Sequence, residues 1–468
     1  MIFQPQELKI TEGSFMLSKE VGAIAHPCLN NEIIREFFYN FTYRSSTLKI
    51  TDRDELIFRI GSAGAIPLGD YDYSINVEKN GICIYAATER DLKYGFMTLI
   101  DRLYAVDGDD GLKVGIECCR IKDRPVISNR MIHFCIFPET ELWELKRLIR
   151  FCGALKYTHV VLEFWGMLKY DCLKELSWRN GFTKEQIRPI IKEANELSLE
   201  IIPMFNHWGH ASAGRERHGK HVVLDQNPTL QTYFTEDGWC WDIKSPKVKE
   251  LLRKIRNELT DLCGEGSYFH IGCDEAYNFE FTKENMDVIC DYINEISDEM
   301  RLQGRRAIMW GDMLLFRHPH FNSRNIYTCN APSAEAEKYM LDRLSRDIVI
   351  ADWQYDAVQS PVETASTFMK AGFDCLLCPW DRGVAQMNSV ISTIKEQTLK
   401  GFLHTTWHTL SNGMSYITLM AARGFDKCEC SKDIRMNTYT AALLRKVLPA
   451  EGDYSRSGWS KIQVGDLW

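Results

Sequence analysis

Two adjacent carboxylates close an apolar, β-prone run in Tyr268-Phe269-His270-Ile271-Gly272-Cys273-Asp274-Glu275. Such a run reads as a buried strand whose C-terminal end opens into a loop. Neighbouring side chains on a regular strand point to opposite faces, so Asp274 and Glu275 serve one site only if the backbone turns there. Gly272 eases that turn. A carboxyl pair at a strand end suits glycoside cleavage: one member protonates the leaving oxygen while the other handles positive charge near the sugar. Taken alone, the dipeptide equally fits a loop start that caps the next helix.

The elements around the pair decide between these readings. From Asn129 onward the chain alternates strand-like and helical segments. Strands are expected at 131–137, 158–164, 199–205, 268–272, 306–311, 347–353, 374–379 and 401–407. Helices are expected at 141–156, 183–197 behind a Thr-x-x-Gln cap, 246–262, 282–302, 361–370 and 390–399. A ninth strand candidate, 325–329, reads as an insertion. Eight strands with intervening helices have the count and order of a (β/α)8 barrel, whose active sites form at the C-terminal ends of the strands. Those ends carry Glu163-Phe-Trp165, Asn206-His207-Trp208-Gly209-His210, Asp274-Glu275, Trp310-Gly-Asp312, Trp353-Gln-Tyr355-Asp356, Trp380-Asp381 and Trp407-His408. One such Trp is ordinary core packing. Repeated beside carboxylates on one face, they predict a carbohydrate pocket, with indoles stacking on sugar C–H faces.

The fold class expected is therefore α/β, a (β/α)8 TIM barrel preceded by a small α+β domain. Residues 1–125 form the small domain, with a hairpin turn at Asn80-Gly81 and a helix after Thr88. Residues 126–425 form the barrel. Residues 426–468 form a C-terminal helix, from about 433 to 447, and a polar tail packed on the barrel. Its final Trp468 leaves a homodimer contact open. A net charge of -8 without long runs offers no nucleic-acid or membrane patch. The first residues lack the pattern of a secretory leader, and no window approaches a membrane span. Sixteen scattered cysteines suit a reducing compartment, and the cytoplasm is the expected address. Neither Cys118-Cys119 nor Cys428-Glu-Cys430 matches a zinc pattern.

At this point the residues carry a resemblance. His270-Ile-Gly-Cys-Asp274-Glu275 matches the His-x-Gly-x-Asp-Glu motif of the family 20 glycoside hydrolases, the β-N-acetylhexosaminidases. Ile202 to Ala211, containing Gly209-His210, is similar to that family's third-strand motif. The stretch from Tyr73 to Leu103 resembles the end of its non-catalytic N-terminal domain. Within the family the chain resembles hexosaminidase D-type members without a secretory signal. The resemblance implies an exo-acting, retaining, cofactor-free enzyme, in which the substrate's own 2-acetamido carbonyl is the nucleophile. Its partners would be saccharides or glycoconjugates bearing N-acetylhexosamine. Glu275 would be the general acid and base, and Asp274 would hold the acetamido N–H. Trp310, Trp353 and Trp407 would wall the acetamido pocket; Arg130 and Asp381 would bind ring hydroxyls, and His210 would support the carboxylates.

The sequence departs from the family pattern in three places. Glu163 stands where many members have an Asp-Asp pair, and is the expected partner of His210. Trp380 replaces a strand-seven tyrosine, with Tyr355 as substitute. His408-Thr409 follows Trp407 where many members have a hydroxyl-binding glutamate, which leaves gluco or galacto preference open. Two rivals stand beside this reading. A carbohydrate-binding pseudoenzyme would keep the indoles, though intact Asp274-Glu275 argues against it. A metal-dependent barrel hydrolase would gather His207, His210, His270 and Asp312.

Overall fold

Parallel strands covered on both faces need apolar residues throughout, and the short strands after Asn129 have them. The computed structural model describes residues 3–51, 56–60, 68–109, 111–212, 223–381, 383–407, 413–425 and 434–449. Strands β1 (Glu7–Met16), β2 (Glu20–Ala25), β3 (Thr47–Ile50), β4 (Leu56–Ile60), β5 (Tyr73–Glu78), β6 (Gly81–Ala86), β7 (Tyr104–Gly108) and β8 (Gly111–Asp123) make one sheet. Its order is β1-β8-β5-β6-β4-β2-β3, with β7 also on β8. The helices Glu32–Phe41 and Glu89–Asp101 bury their apolar faces in this unit. The sequence reading missed β1 because eight of its ten residues are exposed, so no alternation marks it.

The eight strands of the second unit close into a parallel barrel, a TIM barrel. They are β9 (Asn129–Cys135), β10 (His159–Glu163), β11 (Glu200–Met204), β12 (Tyr268–His270), β13 (Arg306–Trp310), β14 (Val349–Asp352), β15 (Asp374–Leu377) and β16 (Gly401–His404). Helix starts follow the expected chemistry. Thr183 and Gln186 form a reciprocal capping box, Thr282 caps Lys283–Leu302, and Pro246 occupies the first turn of its helix. Between β13 and β14 the expected insertion at 325–329 contributes only an isolated bridge, Ile326 to Asp356. The crossover helix there is Ala334–Arg343, which the sequence reading passed over. Its buried face includes Glu337, bonded to His318 and to the Phe316 N–H, so the apolar stripe is broken.

The helix Ile434–Val447 packs on Leu142–Ala154, Glu32–Phe41 and Met414–Phe425. Arg150 knits the three units: it bonds Glu36 of the first, Glu193 of the barrel and the Val447 carbonyl. Among the described residues no helix is long and apolar enough to cross a membrane. Residues 450–468, with Trp468, lie outside the described residues, as do His408, Thr409, Cys428 and Cys430.

Arg130 corrects an expectation. It is the second residue of β9, about 17 Å along the strand from Cys135 at ~3.3 Å per residue. At that N-terminal end its buried guanidinium donates to the carbonyls of Ile127, Ser128 and Lys156 and to the Tyr94 hydroxyl. It also stacks on Tyr94 and Phe425. Arg130 therefore clamps the barrel floor to the N-terminal unit and does not reach the mouth. Arg130→Met should lower stability by about 3 kcal/mol, since buried carbonyls lose their donor. The substrate KM of the folded fraction should stay unchanged, which thermal melts with parallel kinetics will check.

Candidate active site

The turn after β12 is built from unusual backbone. Gly272, Cys273 and Glu275 all take positive φ, at 66°, 77° and 49°. Successive left-handed residues swing the chain so that Asp274 and Glu275 face one cavity, as the sequence required. Two glycines make room. A Cβ on Gly272 would lie 1.7 Å from Asn206 Oδ1, and one on Gly209 would lie 2.0 Å from the Asp274 carbonyl oxygen. Asp312, just past β13, locks the turn: its Oδ2 accepts the Glu275 backbone N–H at 3.0 Å and the Asn330 amide at 2.8 Å. Its Oδ1 accepts Trp353 Nε1 at 3.0 Å.

The cavity holds about 230 Å³ at the C-terminal mouth of the barrel. Trp165, Asn206, His210, Asp274, Glu275, Trp353, Tyr355, Trp380 and Trp407 line it. His210 Nε2 lies 3.0 Å from Glu275 Oε2 and 3.4 Å from Asp274 Oδ2. Tyr355 and Trp380 pack with ring centroids 5.1 Å apart. The Tyr355 oxygen accepts from Trp407 Nε1 and lies 3.0 Å from Thr405 Oγ1, which also reaches the Pro379 carbonyl at 3.1 Å. Asp274 is the more buried of the pair, with 8% of its side chain exposed against 24% for Glu275. Its Oδ1 is buried with no hydrogen-bond partner among the described residues.

Several expected site residues stand elsewhere. Glu163 ends β10 on the barrel's inward face, one layer beneath the cavity. It is fully buried and bonds His133 Nε2 and Asn206 Nδ2, each at 2.9 Å, and Cys135. It is not the partner of His210 and does not meet the cavity; Trp165, two residues on at φ 43°, takes that place. Trp310 is also completely buried. It packs on His270 at 4.3 Å and Trp407 at 5.5 Å, so it is floor and not wall. Trp353 and Trp407 pack against the same interior cluster, so the three indoles do converge. Asp381 follows Trp380 but is not among the lining residues.

The metal rival's residues are not gathered. His207 bonds the Phe205 carbonyl and packs on Phe205 and Phe269, outside the strand layer. His270 points inward, its Nδ1 accepting the Gly272 N–H. Burial pushes the pKa of both histidines well below the usual imidazole value. Sequence reasoning missed Trp165 and Asn206 as lining residues, and Asp312 as the lock on the turn. All three lie in strand-end stretches, where the signal was present but shared with core packing.

Residues 162–384 match the family model for the catalytic domain of glycosyl hydrolase family 20. The match runs from the end of β10 to beyond β15 and takes in both carboxylates. Lacto-N-biosidase of Bifidobacterium bifidum is 21% identical over 372 residues, covering 75% of this chain and 30% of that protein. β-Hexosaminidase of Porphyromonas gingivalis is 24% identical over 294 residues, covering 54% and 37%. The chain thus spans about a third of the length of these curated relatives. Among solved structures, the family 20 exo-β-N-acetylglucosaminidase of Vibrio harveyi with N-acetylglucosamine superposes at a TM-score of 0.70. Its identity is 17%, covering 96% of this chain and 76% of that one. β-N-Acetylhexosaminidase from Bacteroides fragilis gives 0.67 at 14% identity, covering 95% and 94%. These superpositions establish the shared fold, a parallel barrel behind an N-terminal sheet unit.

The carboxylates of this site perturb one another. Burial, opposed by His210 and reinforced by the charges of Asp312 and Glu275, raises the Asp274 pKa to about 7. Burial likewise raises that of Asp312 to about 6, against the bond from the Glu275 N–H. A carboxyl whose pKa rises on folding favours the folded state less once both states ionise. The cost grows from the ordinary value of 3.8 upward and is complete above about 7. Asp274→Asn should therefore raise the melting temperature at pH 8, with the gain fading as pH falls toward 4; melts across that range will check it.

Proposed function

We propose that the protein is an exo-acting, retaining β-N-acetylhexosaminidase that cleaves terminal β-linked N-acetylhexosamine by substrate-assisted catalysis. One observation carries the reading. A buried carboxylate, Asp274, lines an indole-walled cavity beside a second carboxyl held by histidine. That carboxylate suits the acetamido N–H. As the acetamido carbonyl oxygen attacks the anomeric carbon, the N–H turns more acidic and its bond to Asp274 strengthens, which is transition-state stabilisation. Glu275 gives its proton to the leaving oxygen as the glycosidic bond breaks. It then takes a proton from the water that opens the oxazolinium ring, restoring the β configuration. The Tyr355 hydroxyl, beside the same cavity, is suited to the acetamido oxygen. The named activities of the relatives, a β-hexosaminidase and a lacto-N-biosidase, agree with this chemistry.

A cavity of about 230 Å³ falls below the roughly 300–1,000 Å³ of drug-sized sites, which favours one terminal sugar over an internal one. The nucleophile comes from the substrate, so the scheme needs no cofactor. We place the protein in the cytoplasm, because all fourteen described cysteines are free and ten of them are buried.

Aryl β-N-acetylglucosaminide should be hydrolysed and the plain aryl β-glucoside, lacking the acetamido group, should be inert; comparable turnover of both would overturn the reading. Glu275→Gln should abolish cleavage of substrates with poor leaving groups and largely spare activated aryl ones, which need little protonation. Asp274 must be ionised to accept the N–H. The acid limb of kcat/KM should therefore lie near pH 7, with activity falling below it. That of kcat should lie lower, because bound N–H favours the anion.

A further inference from the structure

Outside the sugar cavity a second pair of rings stands against Glu275. Trp239 donates its Nε1 proton to the Glu275 carbonyl at 2.6 Å and packs on His210 at 4.5 Å. Tyr277 lies 6.0 Å from Trp239, centroid to centroid, with the ring planes within 24°. Its hydroxyl donates to Glu275 Oε1, while His210 holds Oε2. The loops carrying the two rings are tied by Asn278 to Asp237. Trp239 is nearly buried, whereas Tyr277 is 42% exposed, one of the few large apolar side chains at the surface. Neither ring lines the sugar cavity.

Both oxygens of Glu275 are thus engaged, Oε2 by His210 on the cavity side and Oε1 by the Tyr277 hydroxyl. We propose that Tyr277, backed by Trp239, is the aglycone platform. Its exposed ring stacks on a leaving group that presents an apolar face, such as a second pyranose. Its hydroxyl positions the Glu275 carboxyl and yields Oε1 to the glycosidic oxygen when substrate binds. This rests on the hexosaminidase reading and adds the recognition of what lies beyond the scissile bond.

Full-length wild type, Tyr277→Ala and Tyr277→Phe can be compared on three probes. These are a β-1,4-linked N-acetylglucosamine disaccharide, methyl β-N-acetylglucosaminide, and the thiazoline of N-acetylglucosamine, which fills the sugar cavity alone. Tyr277→Ala should raise the disaccharide KM about tenfold, the scale of a lost ring stack, and leave the KM of the methyl glycoside and the thiazoline inhibition constant unchanged. Tyr277→Phe should keep the disaccharide KM and lower kcat several-fold. A rise in KM for both glycosides alike, a parallel loss of thiazoline binding, or an unchanged disaccharide KM in Tyr277→Ala would overturn the platform. An unchanged kcat in Tyr277→Phe would overturn the positioning role. Wild type that neither cleaves the glycosides nor binds the thiazoline would instead remove the hexosaminidase reading beneath it.

Discussion

The left-handed turn from Gly272 to Glu275 is the constraint on which the site depends. A positive φ in a residue with a side chain costs on the order of 1–3 kcal/mol, and both Cys273 and Glu275 carry one. The surrounding structure supplies the compensation. Asp312 takes the Glu275 N–H, Trp239 bonds the Glu275 carbonyl, and Gly209 lets the next loop lie against the Asp274 carbonyl. Without the turn, the regular alternation of a strand would send one carboxylate into the packing behind β12. His210 and Trp165 also adopt positive φ, so three loops at this cavity share such backbone.

Beneath that turn the barrel interior sets buried His133, Glu163, His270 and His404 among apolar side chains. Burial holds His270 and His404 far below the ordinary imidazole pKa, so neither adds a cation under the carboxylates. Glu163 is satisfied by His133 and Asn206, and Asn206 in turn reaches the cavity wall. The raised pKa values of Asp274 and Asp312 follow directly. Their environment supplies burial and like charge, with His210 as the nearby counterweight.

Much of this was legible in the sequence, for identifiable reasons. The barrel strands are short apolar runs flanked by amphipathic helices, so their count and order survive without coordinates. The Asp274-Glu275 pair, His210, Trp353, Tyr355, Trp380 and Trp407 stand within a few residues of strand ends, and the structure brings them to one mouth. Depth was not legible. Glu163 and Trp310 occupy strand ends too, but their side chains are fully buried and bonded or packed inside the barrel. Arg130 was assigned by likeness to a motif, whereas its place early in β9 puts it at the opposite end of the barrel. Trp239 sits in a long connection after β11 without periodicity, where position in the chain says nothing about proximity to Glu275.

The contacts of Arg150 bear on how the molecule comes apart. A single buried guanidinium holds a carboxylate of the first unit, a carboxylate on a barrel helix and the last carbonyl of the C-terminal helix. Removing either carboxylate leaves the buried Arg150 cation with a single counter-charge, so the remaining contacts lose part of their support as well. The units distinguished by sequence are thus not separate in thermodynamic terms. Loosening the C-terminal helix would be felt in the sheet at the far end of the chain, and the three would melt as one cooperative body.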